Sequence, residues 1–255
     1  MNNPAPNISN KKSIGYFPLL KKNTSFRNLW YGQVISELGN WINSIAIYAL
    51  ILQLTGSGMA MAAAMMAKLL PMVVVSPLAG VVIDRMDRKT ILITSDLLRS
   101  LTVLGFLMVE SSANLWMVYV LTLFEVAFTG FFEPARNAIL PSLVAKNHLV
   151  TANTLSGATW SIMLALGAAL GGFVVGLFGI KIAFILDSLT YLFSAWFIFR
   201  IPTPPRNSKD SIINSIGGGF RGLVEGGRYL LARPTILALA LLKSGMAIKG
   251  GIMTL

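Results

Sequence analysis

Long apolar runs alternate with short polar interruptions along the chain, and the runs have bilayer length. A helix that crosses the hydrocarbon needs ~20 mostly apolar residues. By that measure spans fall at about 29–54, 60–83, 90–108, 115–132, 155–177, 180–199 and 235–255. The pattern predicts an all-α membrane protein. Residues 1–28 form a polar tail, 29–199 a six-helix bundle, 200–234 a polar connecting segment and 235–255 a seventh span. That last span carries Lys243 and Lys249 and runs to Leu255 without a basic flank. The chain therefore reads as a fragment that stops at the start of a second half.

The connecting segment has structure of its own. Ile201-Pro202-Thr203-Pro204-Pro205 stops the sixth span. Beyond it, Phe220, Leu223, Val224, Leu230 and Leu231 are interleaved with Arg221, Glu225 and Arg228 over 220–232. Such a basic amphipathic helix suits the inner leaflet, and a solvated linker turn is the alternative.

Composition supports the membrane assignment. The chain of 255 residues is 55% hydrophobic and 12% charged, with mean hydropathy +0.69. Soluble domains carry about 25% charged residues. A net charge of +11 raises nucleic acid as a partner. The basic residues, however, stand at span ends and not along one exposed face, which argues for orientation in a bilayer and against nucleic acid. With no cysteine there are no disulfides and no thiolate metal sites. The first 28 residues hold no apolar core of the cleavable kind, so the first span is expected to act as its own insertion signal.

Sixteen Lys and Arg residues lie in the tail, after span two, in 133–153 and in 200–234, whereas Lys181 is alone on the other set of connections. The positive-inside rule then places the N-terminus and the 84–89 loop in the cytoplasm of a cell-membrane protein.

The densest internal run of charge is Gly80-Val81-Val82-Ile83-Asp84-Arg85-Met86-Asp87-Arg88-Lys89. It resembles the loop signature of the major facilitator superfamily, Gly-x-x-x-Asp-Arg-x-Gly-Arg-Arg/Lys between helices two and three. Gly80, Asp84, Arg85, Arg88 and Lys89 match, and Asp87 stands where the pattern has Gly. The opening Phe26-Arg27-Asn28-Leu29-Trp30 is similar to the drug and siderophore exporter branch, whose members include macrolide-efflux and enterobactin exporters. The run Phe131-Phe132-Glu133-Pro134-Ala135-Arg136 is similar to the loop after helix four in that branch. Gly167-Ala168-Ala169-Leu170-Gly171-Gly172 resembles the antiporter signature Gly-Pro-x-x-Gly-Gly, with Ala168 for Pro. The resemblance implies the N-terminal half of a two-half transporter, with 80–89 acting as a cytoplasmic gate. Gly80 would permit close helix contact, and Asp84 would cap a helix or pair across an interface. Gly167, Gly171 and Gly172 would bring helix backbones together. Span four departs from many proton-coupled members, in which helix four carries an Arg: it has Glu125 and no basic residue before Arg136, so coupling through such an Arg is not carried over.

Ionisable residues within spans are costly, at least ~2.5–3.5 kcal/mol each on insertion scales, and mark function or pairing. Gln33, Glu37, Asn40 and Ser44 recur at helical spacing and form a polar stripe, expected to face a substrate cavity or to be satisfied by neighbouring helices. Glu37 and Glu125 are the candidates for holding a proton or cation. Asp96 and Arg99, three apart, can pair with each other, and Asp96 can also reach toward Arg88; a gate or structural network is their expected role. Lys68 and Asp187 lie at similar depths and form a possible buried pair, although Lys68 can also snorkel.

These features predict a secondary transporter, exporting a small amphipathic compound such as an antibiotic or siderophore by alternating access, with protons as coupling ion. The alternatives are a lipid flippase of the same superfamily, an inactive half-transporter, and a permease subunit of an ATP-driven pump. An enzyme is disfavoured: there is one histidine, His148, no catalytic motif and no phosphate-binding loop. No catalytic residue, metal or cofactor is expected. The expected partners are the lipid bilayer, a small-molecule substrate and a C-terminal half.

Overall fold

In the computed structural model, residues 14–68 and 70–202 are described. The connecting segment beyond Pro202, the helix expected at 220–232 and the seventh span lie outside them, as does most of the tail. Every regular element among the described residues is helical. A short α1 (Tyr16–Lys22) precedes α2 (Thr24–Thr55), α3 (Gly58–Ala67), α4 (Leu70–Arg85), α5 (Arg88–Gly105), α6 (Leu115–Leu143), α7 (Leu149–Phe178) and α8 (Ile180–Phe199).

Five of these helical stretches are long and apolar enough to cross a membrane: Thr24–Thr55, Arg88–Met108, Ser112–Leu143, Lys146–Phe178 and Ile180–Phe199. The second expected span is covered by α3 and α4, which flank residue 69, and neither reaches spanning length alone. At ~1.5 Å rise per residue, α2, α6 and α7 exceed the ~30 Å hydrocarbon core and project beyond it.

That projection corrects the expected loop at 133–153. Helix α6 runs on through Glu133, Pro134, Arg136 and Pro141 to Leu143, and α7 begins at Leu149. Charge and proline suggested a loop, but past the hydrocarbon a helix can carry both. Glu133 and Arg136 stand one turn apart and pair at 2.7 Å. Each proline removes one backbone donor without ending the helix.

Local chemistry sets the ends. Asn23 accepts from Phe26 N (2.9 Å) to cap α2, and its amide donates to Leu143 O (2.7 Å) at the end of α6. Gly56, with φ of 62°, closes α2, and the Ser57 side chain caps α3. Gly179, with φ of 82°, turns α7 into α8.

Helix α2 lies between α7 and α8; α5 bridges α8 and α6, and α4 packs on α6. Glycines set the closest approaches. A Cβ at Gly39 would overlap Thr190 and Asp187 of α8, and one at Gly167 would overlap the Trp41 indole of α2. A Cβ at Gly171 would sit 3.0 Å from the Trp41 carbonyl oxygen. The close contact expected at Gly167 and Gly171 is therefore present. At Gly172 and Gly80 none is seen among the described residues: a Cβ there meets none of their atoms within 4 Å.

Two apolar clusters divide the bundle. One, at the end carrying Arg85, Arg88, Lys89 and Lys146, joins Phe26, Leu29, Ile91, Leu92, Ile139 and Ile198. The other joins Ile47, Ile51, Val103, Phe106, Val118 and Phe184. Along α5 and α6 the buried polar residues fall between the two, as do Gln33 and Ser36 of α2, whereas Asn43 of α2 and Asp187 and Ser188 of α8 are interleaved with residues of the second cluster.

Candidate functional site

The polar layer centres on Arg99, 1% exposed and about 17 Å along α5 from its first residue. Its Nη1 donates to Asp96 Oδ1 at 3.1 Å, one turn earlier on the same helix. Its Nη2 donates to Asn40 Oδ1 of α2 at 3.1 Å. The guanidinium lies 4.1 Å from the ring centroid of Tyr191 on α8 and 5.1 Å from that of Phe132 on α6. The Tyr191 hydroxyl donates a short hydrogen bond to Asn40 Oδ1. Asp96 therefore pairs with Arg99 as its spacing suggests. Arg88 instead donates to Ala138 O of α6 at 2.9 Å.

Glu125, about 15 Å into α6, is buried beside this cluster. Its Oε1 accepts from the Asn43 amide at 2.8 Å and stands 3.5 Å from the Tyr191 hydroxyl. Asp187 of α8, fully buried, accepts from the Thr190 hydroxyl at 3.2 Å. Ser100 and Ser188 share a hydrogen bond of 2.8 Å between α5 and α8.

The Lys68–Asp187 pair does not form. Lys68 Nζ donates to Ser44 Oγ at 2.9 Å and lies 5.4 Å from the Tyr48 ring centroid. The two residues match in depth, but Lys68 ends half-buried on α2, whereas Asp187 is sealed where Gly39 brings α2 onto α8.

The polar stripe of α2 is divided among several helices. Gln33 donates to Ser156 O of α7 at 3.2 Å, Asn40 meets Arg99 and Tyr191, and Ser44 holds Lys68. Glu37 remains half-buried, with Glu133 and Arg136 of α6 and Arg99 of α5 as its charged neighbours. Below it a crevice is lined by Trp30, Gln33, Arg136, Asn137, Asn153 and Ser156.

Asn43 and Tyr191 were not among the expected site residues. Asn43 had a usable signal: three residues beyond Asn40, it extends the stripe. Tyr191 had none, because an aromatic side chain in a span is ordinarily packing.

At the basic end, Asp87 caps α5: its carboxylate accepts from Thr90 N at 3.0 Å and Thr90 Oγ1 at 3.1 Å. Asp84 lies within the last turn of α4, so the α5 cap belongs to Asp87. Glycine is also a favourable N-cap, so the residue here and the one in the superfamily pattern suit the same turn. Lys89 Nζ donates to Ile201 O at 2.6 Å, just past α8, and lies 5.3 Å from the Phe199 ring centroid. A cation there satisfies an otherwise unpaired terminal carbonyl and favours the helix dipole. Arg85 is exposed. Arg88 and Lys89 thus fasten α5 to α6 and α8 within this bundle. Replacing Asp87 with Ala is expected to cost about 1 kcal/mol, and with Gly only a few tenths, read by unfolding in detergent. Equal losses for both would remove the capping role.

Residues 14–245 match the family described as transmembrane secretion effector. The chain is 31% identical over 221 residues to the uncharacterized MFS-type transporter YfiS of Bacillus subtilis, covering 86% of this chain and 52% of that protein. It is 28% identical over 222 residues to macrolide efflux protein A of Streptococcus pyogenes, covering 85% and 53%. It is 29% identical over 229 residues to the putative bacilysin exporter BacE of Bacillus subtilis, covering 88% and 56%. The chain spans about half the length of the curated relatives it matches.

Proposed function

Because the chain belongs to the transmembrane secretion effector family of the major facilitator superfamily, we propose that it supplies one half of a proton-coupled exporter of small amphipathic compounds. The superfamily consists of non-enzymatic transport proteins, and this member is a multi-pass membrane protein. In the proposed arrangement the N-terminus and the 80–89 gate face the cytoplasm. A second six-helix half completes the cavity, and the two halves rock about a mid-membrane site. A macrolide or a peptide antibiotic is the substrate class suggested by the relatives' names.

The observation that carries this reading is the buried charge layer. Asp96 and Glu125 lie near Arg99 between two apolar clusters, and Asp187 among residues of the second, at a depth where each charge needs a partner or a task. Arg99 answers Asp96 directly. Glu125 has only an amide and a phenol beside Oε1, and Oε2 has no hydrogen-bond partner among the described residues. Glu37, half-buried among Glu133 and Arg136, is the second proton candidate and lies nearer the basic end. Together they mark a path for protons along α2 and α6.

The test uses the full-length transporter in proteoliposomes with an imposed pH gradient and a labelled macrolide. Gradient-driven accumulation is expected in the parent. Glu125→Gln or Glu37→Gln should reduce it to background while the protein keeps its thermal unfolding profile. Unchanged pH dependence in both variants would remove both acids from coupling.

A further inference from the structure

Asp187 is part of the buried layer but has no task of its own in the reading above, and unlike the equally buried Asp96 it has no ion pair among the described residues. It is 0% exposed and sits where α2 and α8 touch, opposite Gly39. Oδ1 accepts from Thr190, and Oδ2 has no partner among the described residues. Its charged neighbours are Glu125 on α6, Arg99 on α5 and Lys68 at the end of α3. Tyr191, one residue position from the Thr190 contact, interacts with Asp187, Glu125 and Arg99 together.

Most donors around this acid are already committed, leaving Arg99 Nε and Ser194 Oγ without partners among the described residues. Arg99 gives Nη1 to Asp96 and Nη2 to Asn40, Lys68 donates to Ser44, and the Tyr191 hydroxyl goes to Asn40. The acceptors are in surplus. Asn43 Oδ1, Asp96 Oδ2, Glu125 Oε2 and Asp187 Oδ2 are all buried and without partners among the described residues. Asp187 has one hydroxyl on Oδ1 and no ion pair among the described residues, and full burial of so poorly compensated a carboxylate favours its neutral form.

We propose that Asp187 is a second proton-binding carboxyl of the transporter, placed on α8 in the same buried polar layer as Glu125 of α6. Each proton bound turns one acceptor-only oxygen into a donor, which relieves the surplus; the same proton is released intact when the site opens to the other side. Gly39 gives the site its mechanical link. The α2–α8 contact rests directly on Asp187 and Thr190, so the protonation state of Asp187 is felt at the closest helix contact in α2. The inference rests on the proton-coupled reading for its use in transport, but not for its detection.

The test is infrared spectroscopy of this chain in lipid bilayers, which reads protonated carboxyl groups without transport. At neutral pH, carbon-13-labelled aspartate is expected to shift part of the carboxylic-acid C=O band. Asp187→Asn should abolish the shifted part. The labelled parent protein gives an answer even if Asp187→Asn fails to fold. An absent aspartate component overturns the proposal. So does one that survives Asp187→Asn, because Asp96 would then hold the proton. Loss of that component on adding sodium at fixed pH also overturns it, by assigning the oxygens to a metal cation. A transporter that proves uncoupled from protons while the band behaves as expected would sink the exporter reading and leave Asp187 as a proton site.

Discussion

Replacing Arg99 with methionine is expected to destabilise the bundle by about 3–5 kcal/mol, the usual cost of removing one partner from a buried ion pair. The guanidinium reaches three helices besides its own: Asn40 of α2, the Phe132 face of α6 and the Tyr191 face of α8. Methionine fills much of the volume but leaves Asp96 buried with no cation. The double variant Arg99→Met/Asp96→Asn should recover most of the loss, since removing both charges leaves no uncompensated one. Arg99→Lys should not restore stability, because one ammonium cannot aim two separated donors and also lie flat on Tyr191. Reversible unfolding in mixed micelles measures all three. If Arg99→Met costs under about 1 kcal/mol, or the double variant is no better than the single, the pair is not the centre of the layer.

What the sequence made legible follows from the bilayer. Span length and the position of basic residues are imposed by hydrocarbon thickness and charge, so α2, α5, α7 and α8 appear near their expected places. Where a helix leaves the hydrocarbon the constraint disappears, and Glu133, Pro134 and Arg136 look like a loop while belonging to α6. Asp96 and Arg99 were legible as a pair because both lie on one helix at fixed spacing. Partners on different helices were not. Lys68 and Asp187 agree in depth, but which way each points around its helix axis is set by packing, which spacing along the chain does not encode. Asn43 meeting Glu125, and Tyr191 lying over Arg99, depend on the same rotational setting. The gate motif shows a third limit. Its spacing marks the segment, yet the physical roles fall on Asp87, which departs from the pattern, and on carbonyls of α6 and the end of α8.

Glycine substitutions should separate tight from open helix faces by the sign of their effect. Gly39→Ala places a methyl inside the contact radius of Thr190 Oγ1 and Asp187 Oδ1. Thr190 is β-branched and Asp187 is fully buried, so neither can swing clear, and α2 must move away from α8. Such overpacking costs about 1–3 kcal/mol, enough to outweigh the ~1 kcal/mol that Ala gains over Gly in a helix. Gly172→Ala, in α7, meets nothing within 4 Å among the described residues. Only the helix-propensity gain remains there, and stability should rise by up to ~1 kcal/mol. Because Gly39 also presses on Asp187, its substitution should perturb the aspartate infrared component, whereas Gly172→Ala should leave that component unchanged. The same unfolding assay ranks the two variants. A Gly39→Ala protein at least as stable as the parent would mean that α2 and α8 do not approach as closely as the buried Asp187 site requires.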